Sequence, residues 1–213
     1  MNKSKMKDMK EEVVRFSFLK EGEFYILIIT REKTGKLIYS SLYTNKAYLI
    51  KEAKSDFKKL SKKNGIRYVM EPSSPDDKLM KLLHEKFIRL VDARKRGEDT
   101  IDDLDMPYEY IFGTQFQRAA WDGMLQVNIG HTITYGELST RLGMGTKGAR
   151  AIRSACNQNK IPLFVPCHRI MGKSGEMTGF RWGIPIKKVL LMREQEAFEK
   201  TFKTEDIKLE LNL

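Results

Sequence analysis

Four consecutive residues, Pro166-Cys167-His168-Arg169, place a thiol beside an imidazole and a guanidinium. Both neighbours can favour thiolate over thiol, and the thiolate is the form that attacks an electrophilic carbon. The expected chemistry is nucleophilic attack by Cys167, with His168 as the nearest base. The alternative is a buried structural cysteine beside a satisfied histidine. Phe164-Val165 reads as a short buried strand, which would bring Cys167 out at a strand end. Adjacent side chains on an extended segment point in opposite directions. A direct Cys167–His168 hydrogen bond is therefore not expected, and a water or a bend in the chain would have to join them.

The next feature is charge. The 213-residue chain carries a net charge of +11. From Gly113 to Gln195 there are 12 Lys/Arg against 4 Asp/Glu, so most of the excess falls there. Such a surface attracts polyanions, nucleic acid above all, the alternative being a merely solubilising charge. Two short helices, about Tyr135 to Leu142 and Lys147 to Asn157, are joined by Gly143-Met144-Gly145-Thr146 and suggest a helix-turn-helix. On the second helix Ala149, Ile152, Ala155, Cys156 and Asn159 share one side. Lys147, Arg150, Arg153, Ser154 and Asn157 share the other and can meet phosphates. Ahead of this pair, Thr114 caps a helix through about Val127, ended by Asn128-Ile129-Gly130.

The first half is β-rich. Val13 to Leu19, Phe24 to Thr30 and Leu37 to Tyr43 read as strands separated by good hairpin turns. Asn45 caps a helix to about Lys63, a strand follows at Ile66 to Met70, and Pro75-Asp76-Asp77 opens a helix through about Lys95. His84 sits there among Leu82, Leu83 and Phe87 and reads as packed or surface-exposed. Residues 96–107 look like a linker. The expected architecture is α/β (α+β) in two domains: 1–106, a β-sheet with helices plus the linker, and 107–213, mostly helical with the helix-turn-helix. With 41% hydrophobic residues the composition is that of a globular domain. No apolar run has membrane-span length, and the N-terminus leads into no signal-peptide core. Two cysteines leave no room for a disulfide framework. A cytoplasmic protein is expected.

Taken together, Gly113-Thr114-x-Phe116-Gln117…Trp121, Thr134-Tyr135-Gly136-Glu137-Leu138, Ala149-Arg150-Ala151, Asn159, Pro166-Cys167-His168-Arg169-Ile170, Gly179-Phe180-Arg181-Trp182-Gly183 and Lys187…Leu190-Leu191…Glu194 closely resemble one family, the O6-alkylguanine-DNA alkyltransferases. The wording Arg181-Trp182-Gly183 looks most like the C-terminal half of the bacterial adaptive-response methyltransferase. The N-terminal half is similar only in architecture, to the ribonuclease-H-like domain that the family usually carries.

The resemblance implies direct damage reversal in double-stranded DNA. An alkyl group passes from O6 of guanine, and also from O4 of thymine, irreversibly to Cys167. The helix-turn-helix enters the minor groove and the damaged nucleotide is rotated into the protein, at a cost of a few kcal/mol in stacking and pairing. His168 would take the thiol proton through a water, with Glu194 orienting the imidazole. Tyr135 would protonate the departing guanine and crowd the 3′ phosphate. Arg150 would fill the vacated stack. Asn159 would tie the helix-turn-helix to the active-site strand. Lys147, Gly148, Ala149, Arg153 and Ser154 would join Tyr135 and Arg150 against DNA. Val165, Cys156, Gly179, Phe180, Arg181 and Trp182 would line the pocket under a loop from Gly175 to Gly183.

Three departures from the family pattern stand out. Phe180 replaces a frequent tyrosine and keeps an apolar wall. Trp182 replaces a frequent glycine and would narrow the pocket toward methyl. Arg153 replaces a small residue, adding a phosphate contact or hindering close approach. The family's zinc cysteines are missing from the N-terminal half, so no metal and no cofactor are expected, and the chain should act as a monomer. Two rival readings are a non-catalytic lesion binder, which would lack the cysteine, and a cysteine hydrolase, which would need an oxyanion hole and leave the basic helix unexplained.

Overall fold

Short turns after β-rich runs give the first unit its sheet. The computed structural model describes residues 9–93 and 106–210, with side chains described as far as Lys200. The chain divides into two compact units, one built from the residues up to His84 together with Met106–Phe112, the other from Glu85 onward and Gly113 onward. This division does not run at residue 106 as the sequence suggested. Met106–Phe112 returns to the first unit because Leu37 exchanges hydrogen bonds with Pro107 and Glu109, at 2.8 and 2.9 Å.

In the first unit β1 (Lys10–Glu21), β2 (Phe24–Arg31) and β3 (Leu37–Tyr43) form an antiparallel meander, and β4 (Ile66–Pro72) pairs parallel with β1, giving the order β3-β2-β1-β4. That mixed sheet with helices is the α/β arrangement expected for this half. Ile26, Leu27, Ile28 and Ile29 on β2 are all fully buried, so both faces of this strand are covered. The helix α1 (Lys46–Asn64) connects β3 to β4 across the sheet. It begins where Asn45 Oδ1 accepts from the Tyr48 amide at 3.0 Å and ends at Gly65. Its Phe57 packs edge-on against Phe112, ring centroids 5.2 Å apart. A second helix, α2 (Lys78–Val91), starts later than Pro75 because Asp77 is the capping residue, accepting from the Met80 amide at 3.0 Å. Its expected end at Lys95 and the core of the expected linker lie outside the described residues.

The second unit is mainly helical. It contains α3 (Gln115–Leu125), α4 (Tyr135–Arg141), α5 (Ala149–Asn157) and α6 (Ile184–Glu210). The small parallel pair β5 (Ile133–Thr134) and β6 (Ile170–Met171) brings the region after Cys167 beside the start of α4. Capping boxes Thr114/Gln117 and Thr134/Glu137 fix the starts of α3 and α4. A single 3-10 turn, Thr146–Gly148, precedes α5, so that helix begins two residues later than expected. Buried Trp121 on α3 donates its indole N–H to the Ala155 carbonyl at 2.9 Å, locking α3 against α5. Among the described residues no helix is long and apolar enough to cross a membrane.

Candidate active site

The helix-turn-helix is built by close approach. A Cβ at Gly148 would fall inside the radius of Ser139 Oγ, so only glycine lets the turn before α5 press onto α4. With the pair thus seated, α5 presents Ile152, Ala155 and Cys156 inward, with Asn159 buried just beyond its end. Lys147, Arg150, Arg153, Ser154 and Asn157 are exposed, while Gly148 and Ala149 are half-buried. The expected two faces are therefore present, with a basic outer one.

Beneath them lies Cys167, and here an expectation fails. Cys167–Arg169 is a 3-10 turn, not the end of an extended strand. Val165 makes only an isolated bridge with Pro162. The turn gives Cys167 a different partner from the two residues that follow it. Cys167 Sγ faces Asn159, whose Nδ2 donates to it at 3.2 Å and also to the Val165 carbonyl at 2.9 Å. The Ile161 amide donates to Asn159 Oδ1 at 2.9 Å. Asn159 thus knots the end of α5 to the segment carrying the thiol.

His168 and Arg169 turn away from the thiol toward Glu194 on α6. Glu194 Oε1 lies 2.8 Å from His168 Nε2, and Arg169 donates from Nε to Oε2 at 3.0 Å and from its terminal nitrogen to Oε1 at 3.0 Å. Arg169 also donates to the Val127 carbonyl. All three residues are buried. His168 Nδ1 is buried with no hydrogen-bond partner among the described residues.

The electrostatics correct the sequence reading. Burial pushes the Cys167 thiol up to about 11, although the Asn159 hydrogen bond and the Lys187 charge pull it back. Neither adjacent residue supplies a thiolate-stabilising charge, since Arg169 is committed to Glu194 and burial keeps His168 toward its neutral form. The resting sulfur is a thiol. Burial raises the Glu194 carboxyl, but His168 and Arg169 outweigh it and hold the group at about 2. His168 lowers it most and the Arg169 guanidinium adds to this, so the carboxylate stays ionised between them.

Lys187, on α6, is fully buried although it is a lysine. Its Nζ donates to the Ile170 carbonyl at 2.6 Å, and it is the cation that favours ionisation of both Cys167 and Cys156. Its own pKa is lowered by burial. The signal was available in the spacing: Lys187, Leu190, Leu191 and Glu194 fall at i, i+3, i+4 and i+7, one face of α6.

Three of the residues expected to line the pocket are buried apolar side chains. Val165, Phe180 and Trp182 are buried, the two rings meeting at 5.2 Å between centroids, and the Arg181 guanidinium lies 5.9 Å from the Trp182 ring centre. Cys156 Sγ lies 4.0 Å from Met124 Sδ, and burial raises its thiol well above the usual range. The Tyr135 hydroxyl donates to the Thr178 carbonyl at 2.8 Å, joining α4 to the loop before Phe180. Burial raises the Tyr135 pKa and the Arg153 charge opposes this. A Cβ at Gly179, whose φ is +65°, would come within 3.1 Å of Arg153 Nε and 3.5 Å of the Tyr135 hydroxyl. Arg153 therefore flanks the loop and Tyr135 rather than standing alone on the outer face. Among the described residues no group of three or more His, Cys, Asp and Glu is placed to hold a metal ion.

Residues 115–196 match the family model described as 6-O-methylguanine DNA methyltransferase, DNA binding domain. A methylated-DNA–protein-cysteine methyltransferase of Debaryomyces hansenii is 38% identical over 194 residues, spanning 90% of this chain and 96% of the relative. That alignment reaches well into the N-terminal half, where the sequence reading found likeness in architecture only. The bifunctional transcriptional activator/DNA repair enzyme Ada of Escherichia coli is 36% identical over 119 residues, 56% of this chain and 32% of Ada. The crystal structure of an O6-methylguanine-DNA methyltransferase from Pyrococcus kodakaraensis superposes with a TM-score of 0.63 at 23% identity, covering 85% of this chain and 98% of the other.

Proposed function

The chain belongs to the methylated-DNA–protein-cysteine methyltransferase family, and from that membership we propose that it repairs O6-methylguanine in double-stranded DNA by moving the methyl group to its own Cys167. The observation that carries this reading is the pairing of a buried thiol, held by Asn159, with a buried His168–Glu194 pair on the next residue of the same turn. The chain binds DNA through α5 and the start of α4.

The chemistry is an in-line displacement. Cys167 Sγ bonds to the methyl carbon as the C–O6 bond breaks, and the bonding electrons pass to the guanine. The thiol proton leaves through a water to His168 Nδ1, the ring atom that has no protein partner. The imidazolium so formed is stabilised by Glu194, which is already ionised beside Arg169. Tyr135 donates a proton to the departing base. The apolar pocket is what raises the thiol, and it is also what keeps water from the alkyl carbon. A sulfur held as the thiol is protected between encounters. The same geometry would accept a methyl group from O4 of thymine.

Arg150 fills the stack left by the rotated nucleotide, with Lys147, Gly148, Ala149, Arg153 and Ser154 along the groove. Gly179, Phe180, Arg181, Trp182, Val165 and Cys156 bound the base and its alkyl group. Trp182 narrows this pocket in favour of methyl. Removing the methyl from the S-methylcysteine would have to expel a thiolate from an unactivated thioether, so Cys167 is consumed once per molecule, and one chain holds every group that the reaction uses. We infer action as a monomer, without cofactor.

The test is the mass of the intact protein after incubation with a duplex containing O6-methylguanine. We expect gain of one methyl group, mapped to Cys167, at one equivalent per chain. Binding without a mass change would instead indicate a lesion binder, and catalytic turnover a hydrolase.

A further inference from the structure

We propose that the first unit carries a second surface for the DNA backbone, formed by Lys54, Lys58 and Lys62 of α1 with Arg67 of β4. The proposal rests on the DNA reading above and extends it to a part of the chain that the reaction does not use.

The four cations line a hollow of about 610 Å³ between α1 and β4, with Tyr68 and Met70 among its apolar neighbours and no carboxylate among its lining residues. At 100° per residue Lys51, Lys54, Lys58 and Lys62 fall within about 80° of the helix circumference. The acidic residues of α1, Glu52 and Asp56, lie off that stripe, and Asp56 is buried against the Tyr39 hydroxyl at 3.2 Å. Lys54, Lys58 and Lys62 are exposed and have no ion-pair partner among the described residues. Arg67 does pair with Glu11 at 2.7 Å, but both side chains are half-exposed and the pair is open to solvent.

This pattern has a physical cost that folding does not repay. Like charges four residues apart on one helix face destabilise it by a few tenths of a kcal/mol each, and helix–sheet packing uses only the opposite face. A polyanion reverses the sign. From Lys54 to Lys62 the helix rises about 12 Å, and one strand of duplex DNA presents a phosphate every ~3.4 Å along its axis. The three ammonium groups can therefore each meet a phosphate of a single strand. They carry no base-reading geometry, so the contact is independent of sequence and of damage. That suits a protein that must search undamaged DNA.

The test is equilibrium binding of the full chain to an undamaged duplex over a range of salt concentrations. Each phosphate neutralised contributes about 0.9 to the slope of log K against log salt. The variant K54Q/K58Q/K62Q should lower the magnitude of that slope by about two to three, and K54R/K58R/K62R should retain the wild-type value. A control with the same charge change, K20Q/K33Q/K36Q at the hairpin ends of the same unit, should lower it by less than about one. Methyl transfer from a short lesion-bearing duplex at saturating protein should be unchanged in the glutamine variant. A slope no lower in the stripe variant than in the control would overturn the proposal, as would a loss seen on duplex RNA and not on DNA. Absence of salt-dependent binding by the wild type would overturn the DNA reading itself.

Discussion

The two units handle charge in opposite ways. On the sheet of the first unit, Arg31 joins Glu12 and Glu109 at 2.6 and 2.7 Å, and Arg15 joins Glu71 at 2.8 Å, with side chains 12–44% exposed. Such pairs gain little, because water screens them and long side chains must be ordered. In the second unit His168, Arg169, Lys187 and Glu194 are all at most 7% exposed. Burying them forfeits hydration worth several kcal/mol per ion, which only close geometry recovers. A fold selected for stability alone would keep its charges outside. The difference marks the second unit as the place where stability has been given up to keep an imidazole, a guanidinium, an ammonium and a carboxylate in the interior.

The largest effects should fall within that buried set. Cys167→Ala should abolish methyl acceptance while leaving duplex binding in place. Cys156→Ala should still accept one methyl group, measured by intact mass. Acceptance by the Cys167 variant would move the nucleophile elsewhere and dissolve the comparison.

Next is Glu194→Gln. It strands the Arg169 guanidinium in the interior, and removing one partner of a buried pair costs about 3–5 kcal/mol. The same carboxyl sets an acid limit. Held at about 2 against an ordinary value of 4.5, it contributes stability above pH 4.5 that is lost as pH falls toward 2. Chemical denaturation of the wild type across that range should show the loss, and the glutamine variant should show less of it. A variant as stable as the wild type would mean that the buried cluster carries no more energy than the surface pairs.

Much of this was legible in the residues, and the parts that were not share a cause. Capping residues Asn45 and Thr114, the hairpin turns, the two faces of α5 and the pairing of His168 with Glu194 all depend on local rules or on a strong family pattern. The thiol's state depends on what surrounds it in space. Adjacent His168 and Arg169 suggested an activated thiolate, yet both turn to a carboxylate on α6, and burial raises the sulfur instead. The charge that does favour ionisation belongs to Lys187, 20 positions downstream. The 3-10 turn at Cys167 had no turn signal of its own, since Pro166 is compatible with a strand end as well.

The thiol's pH dependence offers a third test. Cys167 is raised to about 11, so a small alkylating reagent should modify it slowly at neutral pH and faster as pH rises toward 11 in DNA-free protein. The sign for stability is the reverse. The folded state keeps its proton where an exposed thiol has lost it, so stability falls between pH 9 and 11. Asn159→Ala should slow the modification further by removing the bond to Sγ. Rapid modification at pH 7 would show the sulfur to be a surface-like, thiolate-forming group.

Arg150 lies outside the buried set, on the exposed face of α5. Arg150→Ala should lower repair of duplex DNA by about fivefold, from a cation–π contact worth roughly 1 kcal/mol, and leave reaction with the free alkylated base almost unchanged. Equal losses on both substrates would place Arg150 in the chemistry instead of the groove.

The smallest effect is expected where the contrast began. Glu109 accepts two hydrogen bonds from Arg31, at 2.7 and 2.8 Å, but its side chain is 35% exposed and Arg31 also holds Glu12. When Glu109 becomes glutamine, water and Glu12 can take up the guanidinium, so nothing charged is left stranded. Glu109→Gln should therefore cost no more than about 1 kcal/mol, and added salt should shrink even that, since screening acts on exposed pairs. The Glu194→Gln loss should resist salt, because ions do not reach the interior. A salt series of denaturation curves on both variants measures the two responses side by side. Equal costs with equal salt responses would mean that burial makes no difference to what these charge pairs contribute.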